Sequence, residues 1–239
     1  MCGSVLPPGP LVPDELSPDH VDRSGTPTAA TSGAPDLWIR RLDLGRPDWD
    51  LQAAASLLTA EELRRAATGD PAVRRRRILM RAALRTLLGD VLGIDPGAVP
   101  LARPAGKPEL LDEPGRAFPG VSTSTSGTVG LVAVARHHRI GIDVEYVAKT
   151  DLAAVADERW LSAAEQAAIA LLPAGRQPAA ITRAWVQKEA VLKGEGVGLA
   201  ADPARVVTPL ADHGRIGRWD IAAVVAPKGY VACLAAQRV

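Results

Sequence analysis

VGLVAVARHHRIGIDVEYV, residues 129–147, decides the fold class. Val129 to Ala135 alternates, His137-His138 makes a turn, and Arg139 to Val147 alternates again, so the stretch reads as a β-hairpin. Strands that meet through hairpins, mixed with helices but without regular βαβ alternation, predict an α+β domain.

The flanks fit that class. On the N-terminal side, Leu37 to Leu42 reads as a first strand and residues 51–68 carry a helical pattern. Thr59-x-x-Glu62 is a capping box inside that pattern or at a restart of it. Asp70 then caps a stronger helix with Pro71 in its first turn, running to Leu88 or Leu92 and ending at Gly93. Leu84, Leu88, Val91 and Leu92 share one face of it, and Arg74, Arg77, Arg81 and Arg85 line another. A loop over 93–106 leads through Gly106-Lys107-Pro108 to a Ser/Thr-rich stretch, Val121 to Thr128. Towards the C-terminus, one helix follows Ser162, where Ser162-x-x-Glu165 makes a second capping box. Another runs from about Ala179 to Lys193 and closes at Gly194. Arg218 to Val225, the turn Pro227-Lys228-Gly229, and Tyr230 to Ala236 end the chain as strand, turn, strand.

Composition sets the boundaries of function. The chain has 239 residues, room for one large domain or two small ones. One Phe, two Tyr and five Trp leave the core to Ala, Val, Leu and Ile. A formal charge of +1 argues against a protein whose main task is wrapping nucleic acid. Residues 1–36 hold seven of the 20 prolines and no apolar periodicity, so they read as a disordered leader. The two cysteines, Cys2 and Cys233, form no metal or redox spacing, which favours a reducing compartment. With no run near the roughly 20 apolar residues of a membrane span and no secretory pattern, the expectation is a cytoplasmic protein without a membrane partner.

Several residues could carry chemistry. Asp143 and Glu145 leave the same face of a strand and would repel unless a cation, a basic group or water separates them. Magnesium suits such a pair, because it takes one or two carboxylates and is completed by water and phosphates; a solvated acidic strand face is the plainer reading. Trp185, Glu189 and Lys193 stack along one helix face, although Glu189 and Lys193 are also in the order of an ordinary surface pair. Gly194, Gly196 and Gly198 permit close backbone approach after the helix. Ser122, Ser124, Thr125, Ser126 and Thr128 could hold a phosphate or form a polar loop before a strand. The arginine stripe could meet RNA, acidic protein or phosphate, and a solvated helix face is its commonest explanation. Lys107, by itself, is a loop lysine.

In order and spacing, Gly106-Lys107-Pro108, Ser122-Thr123-Ser124-Thr125-Ser126-Gly127, Ile140-Gly141-Ile142-Asp143-Val144-Glu145 and Arg159-Trp160-Leu161-Ser162-x-x-Glu165 resemble the successive motifs of the Sfp-type 4'-phosphopantetheinyl transferases. Trp185-Val186-Gln187-Lys188-Glu189-Ala190-Val191-Leu192-Lys193-Gly194-x-Gly196-x-Gly198-Leu199 completes the set. The resemblance implies two similar α+β halves packed as a pseudo-dimer, 37–137 and 138–239, with coenzyme A in the cleft between them. Members of the family move the phosphopantetheine arm of coenzyme A onto a serine of an apo acyl or peptidyl carrier protein, releasing adenosine 3',5'-bisphosphate.

Carried onto this chain, the resemblance makes Asp143, Glu145 and Glu189 the ligands of Mg2+, with Glu189 alternatively the base for the carrier serine. Lys193 becomes the catalytic group on the phosphate, Lys107 and Ser124 hold the phosphates of coenzyme A, and Arg77 and Arg81 add to its 3'-phosphate site. Relatives usually have Ser-His-Ser where this chain has Ser124-Thr125-Ser126. Threonine brings no charge, and a charge-assisted bond is roughly twice as strong as a neutral one, so weaker coenzyme A binding is expected unless the arginine stripe compensates. The Trp-x-x-Lys-Glu-Ala form resembles the branch that serves polyketide and nonribosomal peptide synthetases. The expected enzyme is therefore a monomeric, cytoplasmic, Mg-dependent transferase that acts on no nucleic acid. A homologue that binds coenzyme A or carrier protein without efficient transfer is the alternative. An RNA-binding protein lacks interleaved aromatics to support it.

Overall fold

The computed structural model describes residues 37–102, 109–110, 120–136, 138–147, 159–196 and 202–238. They form two units, one ending at His138 and the other beginning at Arg139. Each is a long helix laid on an antiparallel sheet, so the α+β class expected from the sequence is the class found.

In the first unit, β1 (Leu37–Asp43), β5 (Val129–Ala135) and β4 (Gly120–Ser126) form the sheet in the order β1-β5-β4. Helices α1 (Leu51–Ser56) and α2 (Ala60–Ala66) lead to α3 (Pro71–Leu92). Local chemistry sets those bounds. Asp50 and Asp70 cap with their carboxylates, and both bonds of the Thr59–Glu62 capping box are made, so the 51–68 pattern is two helices with a restart. Gly93 closes α3 in the left-handed region at φ 69°, where L side chains are strained. Leu79, Leu84, Leu88 and Val91 bury one face of α3 against Leu42, Val121, Val132 and Val134 of the sheet.

The second unit has the four-stranded order β6-β9-β8-β7, from β6 (His138–Tyr146), β7 (His213–Ile216), β8 (Trp219–Val224) and β9 (Tyr230–Arg238). Helix α4 (Ala163–Ala170) precedes the long α5 (Gln177–Glu195). Val186, Ala190 and Val191 of α5 pack with Ile216, Trp219, Ile221, Cys233 and Ala235. Cys233 lies inside that core, where burial pushes its thiol up to about 12.

Four local expectations are corrected. First, residues 129–147 are two strands but not one hairpin: β5 pairs with β1 and β4, and β6 joins the other sheet beside β9. The hairpin is β4–β5, turned at Gly127 with φ 53°. Tight two-residue hairpin loops want residues that accept positive φ, and Arg136-His137-His138 supplies no glycine or asparagine. Second, Val121 to Ser126 is strand, not loop. Third, residues 93–106 contain a 3-10 turn at Pro96–Ala98 and the short strand β2 (Leu101–Ala102), paired with β3 (Glu109–Leu110). Fourth, α5 closes at Gly196, at φ 77°. Gly194 is inside the helix, and a Cβ there would lie 2.5 Å from the Trp219 ring.

The two units repeat one plan. A single 103-residue step carries Arg40 to Asp143, Thr59 to Ser162, Glu62 to Glu165, Arg85 to Lys188 and Asp90 to Lys193. The contacts repeat with the residues. In the first unit Arg40 of β1 pairs with Asp90 of α3 at 3.3 Å; in the second, Asp143 of β6 pairs with Lys193 of α5 at 2.6 Å, the charges reversed. Each first strand is tied to its long helix by one ion pair at the same place.

Candidate active site

Gly141, Asp143 and Glu145 alternate onto the face of β6 that meets α5. Contact there is backbone on backbone: a Cβ on Gly141 would run into the carbonyl of Ala190 and lie 2.5 Å from the amide of Gly194. Glycine at 141 therefore lets the helix settle directly on the strand, which brings Glu189 and Lys193 to the two strand carboxylates.

Asp143 is 2% exposed, and its Oδ1 accepts a 2.6 Å bond from the Lys193 ammonium. Glu189 is half-buried and its Oε1, itself shut off from solvent, has no hydrogen-bond partner among the described residues. Burial pushes the Glu189 carboxyl above the ordinary carboxylate range, and the neighbouring charge of Asp143 pushes the same way. Lys193 opposes them and Glu145 adds a smaller upward push. The four groups form one electrostatic cluster with three potential anions and one cation.

Among the described residues no group of three or more His, Cys, Asp or Glu side chains is gathered to hold a metal ion. The Lys193 ammonium sets a positive charge against Asp143. The donors nevertheless suit a small hard cation: all are carboxylate oxygens, one is shut off from solvent without a hydrogen-bond donor among the described residues, and burial, then the Asp143 charge, holds that carboxyl above its ordinary range.

A family model described as the 4'-phosphopantetheinyl transferase superfamily matches residues 139–224, the stretch that carries this cluster. The HetI 4'-phosphopantetheinyl transferase of Nostoc sp. is 38% identical over 170 residues, 69% of each chain. The chain belongs to the 4'-phosphopantetheinyl transferase superfamily. A relative from Synechocystis sp., provisionally named for the same activity, is 27% identical over 195 residues, 77% of each chain.

The residues assigned to coenzyme A lie in the first unit or outside the described residues. Lys107 lies outside them, as do His137, Gly198 and the leader 1–36. Ser124 and Thr125 are neighbours on β4, so their side chains leave opposite faces of the sheet. Thr125 is on the side of Val121, which packs beneath α3, and Ser124 is buried on the other.

The arginine stripe is solvated at one end only: Arg74 and Arg77 are exposed, whereas Arg81 and Arg85 turn inward. Arg85 is 1% exposed and Arg81 is largely covered; both pair with Glu62, through Arg81 Nε at 2.6 Å and Arg85 Nε at 2.9 Å. Arg77 donates to the carbonyl and hydroxyl of Thr68. These guanidiniums fasten the α2 segment to α3. Charge patterning alone missed it, because a buried and a solvated arginine at the same helical spacing look alike.

Trp185 also has a packing role. It meets Trp160 edge to face, with ring centroids 5.0 Å apart, in a cluster with Leu161, Ile169 and Ile181. No helix among the described residues is long and apolar enough to cross a membrane.

Proposed function

We propose that the protein transfers the 4'-phosphopantetheine arm of coenzyme A to a serine of an apo acyl or peptidyl carrier protein, with Mg2+ as cofactor, in polyketide or nonribosomal peptide biosynthesis. The observation that carries the reading is the cluster of Glu145, Glu189 and Lys193 around the buried Asp143, within the stretch matched to the family. The membership itself supports coenzyme A as donor and a carrier protein as acceptor.

Asp143, Glu145 and Glu189 would hold the metal, which when bound supplies positive charge to the diphosphate of coenzyme A. Glu189 is suited to take the serine proton, since a base works best with a pKa drawn towards the working pH. The serine oxygen forms a bond to the phosphorus that bears the pantetheine arm. The bond from that phosphorus to the bridging oxygen breaks, and adenosine 3',5'-bisphosphate leaves with the electron pair. Lys193 would meet the charge that develops on the departing phosphate. Lys107 and Ser124 are proposed to hold the phosphates of coenzyme A. The nucleophile belongs to the carrier, so the transferase needs no nucleophile of its own.

The test is product release. Incubation with coenzyme A, Mg2+ and an apo carrier should yield adenosine 3',5'-bisphosphate in step with carrier consumed, and none without carrier. Release that ignores the carrier would mean hydrolysis and would overturn the reading.

A further inference from the structure

Lys188 sits in the middle of the Trp185–Lys193 motif, next to Glu189, and the proposed reaction has no use for it. Its side chain is 0% exposed. Its ammonium donates to Glu165 Oε2 at 2.9 Å, to the carbonyl of Pro203 at 3.0 Å and to that of Val206. An ammonium has three donors, and all three are occupied. Glu165 is equally enclosed: Oε2 also accepts from the Ser162 amide at 2.8 Å, and Oε1 accepts from the amide and hydroxyl of Thr208 at 2.8 and 2.7 Å. A group so enclosed cannot reach a phosphate. What it does is tie α5 to the start of α4 and to residues 203–208.

The first unit holds the same device at the same spacing. Glu62 and Arg85 are 23 residues apart, as are Glu165 and Lys188. Arg85 grips Glu62 with Nε at 2.9 Å and one terminal nitrogen at 3.1 Å. The other donates to the carbonyls of Pro96, Gly97 and Val99. Both clamps close on a 3-10 turn opened by an Asp-Pro pair, Asp95-Pro96 in one unit and Asp202-Pro203 in the other, each Asp capping its turn. At the position of Glu189 the first unit has Thr86, whose hydroxyl donates only to Ala82 of its own helix. The clamp recurs where the carboxylate cluster does not.

We infer that Lys188 is a positioning residue: the cation of a clamp duplicated in both units, which fixes the turn of α5 that presents Glu189 and Lys193 and whose requirement is a buried multi-donor cation, met equally by arginine. The inference rests on the proposed transfer reaction for its rate readout and on the duplication for its chemistry.

The experiment compares Lys188→Arg, Lys188→Met and Arg85→Met for Tm, for kcat and for the KM of coenzyme A. Lys188→Arg should fold and keep its kcat within about threefold. Lys188→Met should lose kcat by up to about 100-fold, the cost of misplacing reacting groups by an ångström, with the coenzyme A KM unchanged. Arg85→Met should lower Tm comparably yet keep kcat within about threefold. If Lys188→Met does not fold, Glu165→Gln with Lys188→Met replaces it, because removing both charges leaves none buried and unpaired. A folded Lys188→Arg as slow as Lys188→Met would overturn the inference, since lysine itself would be required. So would equal kcat losses in Lys188→Met and Arg85→Met. A wild-type chain that transfers nothing would refute the proposed reaction and leave the clamp to the Tm order. There, Lys188→Arg must stand near wild type and above Lys188→Met, and equal values for the two variants would overturn the clamp.

Discussion

Asp143, Glu189 and Lys193 show how a strand and a helix can gather like charges that water would keep apart. Burial and the Asp143 charge hold the Glu189 carboxyl above its ordinary range, while one lysine moderates them. At this scale the sequence was informative about identity and poor about environment. Asp143 and Glu145 were legible as a same-face pair from strand alternation alone. That Lys193 pairs with Asp143, 50 residues away, follows from tertiary packing, which no local pattern encodes. Thr125 offers a direct test at the same scale. Thr125→His restores the charged donor of relatives and should lower the coenzyme A KM by roughly tenfold, the effect of one charge-assisted bond worth about 1.4 kcal/mol more. An unchanged KM would mean that this face of β4 does not meet coenzyme A.

At the scale of elements, α3 was read almost residue by residue because each end has a chemical marker: Asp70, Pro71 and Gly93. β4 was not, because Ser122 to Ser126 carry little hydrophobicity, and only their pairing with β5 makes them a strand. Hairpin partners were also misassigned around His137-His138, since alternation shows that two segments are strands without saying which strand each meets. The junction of β6 and α5 yields a prediction of its own. Gly194→Ala would press a methyl into the Trp219 ring and should cost about 1–3 kcal/mol by urea unfolding, the range for overpacking. Gly141→Ala, which meets backbone that cannot swing aside, should cost more and should also slow transfer, because it moves the helix away from Asp143. Two variants with wild-type stability would show that the strand–helix contact is looser than described.

Taken as a whole, the molecule is one plan used twice, and the sequence hid it because, apart from Glu62 and Glu165 and the two Asp-Pro turns, equivalent positions keep roles more than identities. Arginine stands for lysine in the clamps, and the Arg40–Asp90 pair reverses the charges of Asp143–Lys193. Both clamps should be visible in the pH dependence of stability. Burial pushes Glu62 and Glu165 up, but Arg85, Arg81 and the Thr59 amide outweigh it for Glu62. Lys188, the Ser162 amide and Thr208 outweigh it for Glu165. Both carboxyls end below their ordinary range. Groups depressed in the folded state stabilise it above the unfolded pKa, about 4.3 for Glu, and that stabilisation is lost as pH falls through the folded value. Glu189, shifted the other way, opposes this with a single group. Unfolding free energy should therefore fall below about pH 4.3, and Glu165→Gln should flatten part of the fall; stability that rises on acidification would contradict the clamp picture.

The central claim, that the Asp143 cluster transfers a phosphopantetheine arm, is tested most directly by the intact mass of apo carrier proteins after incubation with the protein, coenzyme A and Mg2+. The account predicts the mass gain of one phosphopantetheine, lost when the metal is chelated and lost in a folded Asp143→Ala variant. No gain on any acyl or peptidyl carrier despite measurable coenzyme A binding, or an undiminished gain with Asp143→Ala, would contradict it.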